Sequence, residues 1–237
     1  MKYLEAEAFI GDNESSEDAI KSSKLLEIRL DEKRDSLAAL PPESPTEQRI
    51  ELELESGYLL LDLDRQQEAH SLAKGVLDRA LEENLWLRAV EACDILYQSE
   101  QPDAIKALAH GIWLGVTFPI DPELSVAMLQ HLIEETPDKS DGAAVAAATA
   151  CYIVDIRAQN ADREELNFFT NQLMGQVARR HSQVEEQEIF DFWVERMELN
   201  DPTKFLPRLA KVLDVIVDGD WWFDRDALRA MIPTTEQ

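Results

Sequence analysis

The sequence predicts an all-α protein, and three features carry that prediction. Leu, Ala, Glu, Asp and Arg dominate it, a helix-forming composition. Eight glycines in 237 residues are too few for a turn-dense β-sandwich. Apolar residues recur three and four apart, whereas Val, Ile and Thr seldom alternate with polar neighbours as a half-buried strand requires. With 45% apolar residues, a buried core is available. The chain is long for one compact core and ordinary for an elongated stack. The expected architecture is about ten amphipathic helices in antiparallel hairpins, forming either a short solenoid or an irregular helical bundle.

The elements follow in order. Ser15, with Asp18 three residues on, resembles a capping box, and Ile20, Leu25, Ile28 and Leu37 keep helical spacing to about residue 39. Pro41, Pro42 and Pro45 stop that helix, because proline lacks the N–H and disfavours helix in the residue before it. Residues 1–45 therefore read as an N-terminal helical arm or cap with a Pro-rich linker, and 46–237 as the hairpin stack. Thr46 is placed to cap a second helix carrying Ile50, Leu54, Tyr58 and Leu61 on one face. A third spans about 65–83 and a fourth about 85–98. Pro102 is expected in the first turn of a fifth, and Asp121-Pro122 opens a sixth. The Ala-rich seventh covers 142–159, and an eighth follows Asp162. Ser182 and Glu185 form a capping box for a ninth, and Asp201-Pro202 opens a tenth. A last short helix, about 224–231, stops before Pro233. Connections of two to six residues make consecutive helices antiparallel neighbours.

The formal charge is −25, and it is spread along the chain: residues 1–60, 61–181 and 182–237 carry −8, −10 and −7. Such a surface repels phosphate, so direct nucleic-acid binding is disfavoured. The basic cluster Arg179-Arg180-His181 reads as helix-end charge complementing the macrodipole. Cys93 and Cys151 sit in apolar helical stretches and read as small buried hydrophobes. The N-terminal stretch has no sustained apolar run of the signal-peptide kind, and no segment approaches 18 uninterrupted apolar residues. No membrane partner is expected, and the expected compartment is cytoplasmic.

Small residues in LESGYLLLDLDRQQEAHSLAKGVLDRALEEN recur at a telling interval. Gly57 and Ala69 are 12 apart, with Tyr58 and Leu61 between them; Ala92 and Ala104 repeat the interval in the next stretch. Small residues let the two helices of a hairpin cross with their backbones close. Over roughly 50–116 the chain resembles the tetratricopeptide family, although the family's Trp and the proline ending its second helix are absent (Leu81 lies near that proline position). The resemblance implies that the inner helix of each hairpin lines a groove. That places Glu51, Tyr58 and Asp62 on one hairpin, and Trp86 and Tyr97 on the next, at a partner-binding surface.

Motifs for chemistry are missing. No His has a Glu three residues before it, and His-Glu-x-x-His, Cys-x-x-Cys, a phosphate loop and a Gly-x-Ser-x-Gly elbow are all absent. An EF-hand aligned on Gly219 would put Ile216 and Arg225 at ligand positions, so Asp214–Asp226 reads as a helix end and a capped short helix. Trp221 and Trp222 read as core covering, with a second partner surface as the alternative. The expectation is a non-catalytic protein–protein interaction module, an adaptor, assembly factor or chaperone-like protein, needing no cofactor and no metal. It would bind a basic or amphipathic segment of a partner. The alternative is an acidic inhibitor or immunity-type protein that neutralises a basic enzyme such as a nuclease. An enzyme is a third possibility that a deep cavity with unpaired buried carboxylates would favour.

Overall fold

The computed structural model describes residues 3–4 and 16–232, the side chains of 16–21 and 161 excepted. The fold is all-α: more than three quarters of the described residues are helical, and they contain eleven helices and no strand. They are α1 (Ser16–Ala39), α2 (Thr46–Asp62), α3 (Gln66–Glu82), α4 (Trp86–Gln98), α5 (Ala104–Thr117), α6 (Pro122–Glu135), α7 (Asp141–Arg157), α8 (Asn160–Ser182), α9 (Gln187–Arg196), α10 (Pro202–Val217) and α11 (Arg225–Arg229). Among the described residues, no helix is long and apolar enough to cross a membrane. The expected Ser15 cap and the Pro233 stop lie outside the described residues.

Where the helices start follows from orphan backbone donors. The Asp121 carboxylate accepts from the Glu123 N–H at 2.9 Å, and Asp201 does the same for Thr203, each just ahead of a first-turn proline. Three expected starts differ. Thr46 is already helical and makes no side-chain cap; the Pro45 carbonyl instead accepts from Gln48 and Arg49. Asp162 lies in the first turn of α8, which begins at Asn160. Ser182 is the last residue of α8 and caps nothing, because the chain leaves that helix through a left-handed Gln183 (φ 55°). Pro102 sits in the turn ahead of α5.

The helix ends explain the scarcity of glycine. Asp64, Asn84, Glu100 and Glu198 each take a left-handed φ of 53–57° one position after a helix cap. Behind three of them the chain closes a six-residue loop, with Arg65, Leu85 and Leu199 N–H groups donating to Leu60, Ala80 and Val194 carbonyls at 2.8–3.0 Å. That is the Schellman arrangement, here closed mostly by acidic residues and an Asn.

The chain divides into two compact units, one of Glu5–Gly111 and one of Met1–Leu4 with Ile112–Gln237. The Pro41–Pro45 segment lies inside the first, between α1 and α2. There α1 packs on α2, α2 on α3 and α4, and α3 on α4. Gly57 is the point of closest approach: a Cβ on it would stand 2.8 Å from Ile95 Cδ1 and 3.6 Å from Leu72 Cδ2. Ala69 and Ala92 are fully buried, as the 12-residue interval requires of small residues at a helix crossing, and so is Ala73 one turn on from Ala69. Ala104 is partly exposed, because it opens α5 rather than lying within it.

In the second unit α7 is the centre, contacted by α6, α8 and α10. Its residues from Gly142 to Ala150 are all buried. A run of alanines suits that position, since every side of the helix offers a neighbour a shallow surface. Arginines tie the surrounding helix ends. Arg157 donates to the Gly115 and Val116 carbonyls at 2.6 and 2.7 Å, Arg180 to Ile133 at 2.9 Å, and Arg208 to Met197 at 2.6 Å. Each guanidinium meets carbonyls at a helix C-terminus, where the macrodipole favours a cation. Burial pushes the Arg157 guanidinium below its ordinary pKa.

Candidate partner-binding face and polar seam

Along α2, Glu51, Tyr58 and Asp62 recur at helical intervals, and α2 lies against α4. Between the two helices runs a polar seam. Arg88, only 13% exposed in its side chain, donates to Glu51 Oε1 at 2.7 Å and to Glu91 Oε2 at 2.9 Å, with Glu47 Oε1 3.9 Å away. Burial alone would lower the Arg88 pKa; the Glu91 and Glu51 carboxylates outweigh it and raise the guanidinium above its ordinary value. Seven residues further along α2 from Glu51, the Tyr58 hydroxyl donates to Asp94 Oδ2 at 2.9 Å, and Gln98 Nε2 donates to the same oxygen.

Of the residues that sequence reasoning placed at this surface, Glu51 and Tyr58 are thus joined to α4 by direct bonds. Asp62 is exposed at the end of α2. Trp86 and Tyr97 are half-buried at the two ends of α4. Sequence reasoning missed the α4 side of the seam. Glu91 and Asp94 are 2% and 4% exposed, so two carboxylates are buried where an apolar stretch was read. The signal was legible in RAVEACDIL: Arg88, Glu91 and Asp94 stand three apart, on one helical face. Glu91 Oε2 accepts from Arg88 and Asp94 Oδ2 accepts from Tyr58 and Gln98, while Asp94 Oδ1 and Arg88 Nε are buried with no hydrogen bond of their own among the described residues.

Trp221 makes an edge contact with the buried Trp113 (centroids 6.2 Å), and Phe223 packs on both rings. Arg225 lies over Trp221 at 4.0 Å and also bonds Asp214 at 2.8 Å. Trp222 is half-buried. The aspartates nearby serve the backbone: Asp218 and Gly219 turn the chain out of α10 with positive φ, and Asp224 caps α11 through the Asp226 and Ala227 N–H groups. Among the described residues, no three His, Cys, Asp or Glu side chains gather as a metal site. Burial raises the thiol pKa of both Cys93 and Cys151, the reverse of an activated nucleophile.

One further row has the order of a proton relay. Ser182 Oγ is 2.6 Å from His181 Nδ1, and His181 Nε2 is 3.0 Å from Asp141 Oδ1. The Trp193 indole N–H, which can only donate, also points at Nδ1, so that nitrogen accepts and Nε2–H faces Asp141. Ser182 ends α8, however, and the next two N–H groups, of Gln183 and Val184, are donated to α8 carbonyls. A developing oxyanion there would meet the negative end of a helix, and neither of these two N–H groups is left to receive it. The row therefore reads as a tie between α7, α8 and α9. No protein-family model matches the chain, and neither the curated proteins nor the solved structures contain a match.

Proposed function

We propose that the chain is a non-catalytic interaction module whose α2–α4 face holds a basic or amphipathic segment of a partner protein. The observation that supports this reading most is the polar seam. It fixes two neighbouring helices in register through buried charge, and it leaves acidic and aromatic groups beside it: Glu51 and Asp62 exposed, Tyr58, Trp86 and Tyr97 half-buried. Acids around aromatic rings suit a cationic segment with an apolar side, the acids steering its approach and the rings holding it once water is displaced. In this reading Arg88 positions the face and does not touch the partner.

The test uses a partner recovered by affinity purification from the native host, measured by surface plasmon resonance. Tyr58→Ala and Trp86→Ala should each weaken binding by at least ~1 kcal/mol, mainly through faster dissociation. Glu51→Gln and Asp62→Asn should slow association and flatten its salt dependence, since charges steer over a Debye length of about 8 Å at physiological strength. Binding that ignores salt and all four changes would sink the assignment.

A further inference from the structure

Near the N-terminus of α6, the chain receives a segment from far away in sequence. The backbone N–H groups of Tyr3 and Leu4 both donate to one oxygen of Glu123, at 2.7 and 3.1 Å, across 120 and 119 residues. Residues 3 and 4 form a bend, and two successive N–H groups converging on one anion make a small backbone nest. The acceptor is held ready for this role. Glu123 lies in the first turn of α6, where a negative charge is favoured, and its own N–H is fixed by the Asp121 cap. Leu4 beside it is only 4% exposed, so the segment is seated by its side chain as well as by its backbone. Glu123 also forms part of the wall of a cleft of about 580 Å³ that Asp121, Arg157, Asn160 and Leu166 line.

We infer that Glu123 and the seat of Leu4 constitute a docking site for a short bent peptide carrying a leucine, filled by the chain's own Tyr3–Leu4 as an internal competitor. Nothing in the seat demands that its occupant come from the same molecule: it recognises two backbone N–H groups and one apolar side chain. An occupant on the same chain competes intramolecularly, so an external segment enters only when the internal one is weakened or when it binds more tightly. The site lies in the unit that does not contain the α2–α4 face, and its test is independent of the partner proposed above.

The test is titration of a fluorescein-labelled peptide of residues 1–7 (MKYLEAE) into the full-length chain, read by anisotropy. The Leu4→Asp chain, whose own segment no longer seats, should bind the peptide about tenfold more tightly than the unaltered chain, the gain expected when a tethered competitor is removed. Tyr3→Pro, which deletes one internal donor without touching the seat, should move in the same direction. Adding Glu123→Ala to Leu4→Asp should abolish the gain. Hydrogen exchange gives a second readout on the chain without peptide: Glu123→Ala should speed exchange of the Tyr3 and Leu4 amides by roughly tenfold or more. Equal affinity for the unaltered and Leu4→Asp chains overturns the inference. So does peptide binding that survives Glu123→Ala, or exchange at residues 3 and 4 that does not respond to it.

Discussion

Glu91 is the residue whose loss should be felt most in the polar seam. Its carboxylate, buried in α4, holds one edge of the Arg88 guanidinium while Glu51 holds another. Glu91→Ala removes the buried partner and leaves the cation half-compensated, a change expected to cost roughly 3 kcal/mol, the low end for breaking a buried pair because Glu51 remains. Glu91→Gln keeps an acceptor and should cost clearly less. Urea unfolding of both variants separates the loss of charge from the loss of the hydrogen bond, and stabilities equal to that of the unaltered chain would show that the seam contributes nothing. Tyr58 illustrates the same point from the other side. Read from sequence it is a groove aromatic, yet its hydroxyl is committed to Asp94, so Tyr58→Phe removes the seam bond alone whereas Tyr58→Ala removes that bond and the ring together.

Helix ends show what a sequence reveals and what it hides. The starts at Asp121-Pro122 and Asp201-Pro202 were legible because an acceptor side chain and a first-turn proline are both local signals. The Ser182–Glu185 box was misread because Ser, x, x, Glu is also compatible with a helix that has yet to end. Only the left-handed Gln183 decides the matter, and no residue-type signal announced it. The face shared by α2 and α4 was half legible. The tetratricopeptide resemblance implied its α2 side, but the burial of Glu91 and Asp94 depends on which neighbour covers α4, and that is a tertiary fact. The left-handed ends also carry a prediction. Glu198 holds φ 54° with a Cβ that disfavours it. Glu198→Gly should therefore stabilise the chain by about 0.5–1 kcal/mol, relief of strain exceeding the entropy gained by the unfolded chain. A lowered thermal midpoint would contradict that account.

At the scale of the whole molecule, the excess of acid sets the response to pH. Burial works to raise the Asp103 pKa, but the His70 ring 2.8 Å away and Lys74 outweigh it and hold the carboxyl below its ordinary value. Glu134 is held low chiefly by its bond from His131. A carboxyl whose folded pKa is depressed stabilises the fold fully above its unfolded pKa, about 4, and loses that contribution as pH falls through the folded value. Stability measured by denaturant titration should therefore be flat in these terms from neutrality to about pH 5, then fall in acid. A rise in stability between pH 5 and 3 would show that relief of the −25 self-repulsion dominates instead. The packing order around α7 has a kinetic meaning as well. In the unit of Glu5–Gly111 each of α1, α2 and α3 touches the helix that follows it, so native contacts can form progressively, with little loop to close at each step. α7 instead waits for α10, which returns across two intervening helices to cover it. Until it does, an alanine-rich helix keeps one flank bare. During refolding, amides of α2–α4 should gain protection before those of α10, and the interval between the two is when this chain is most exposed to aggregation.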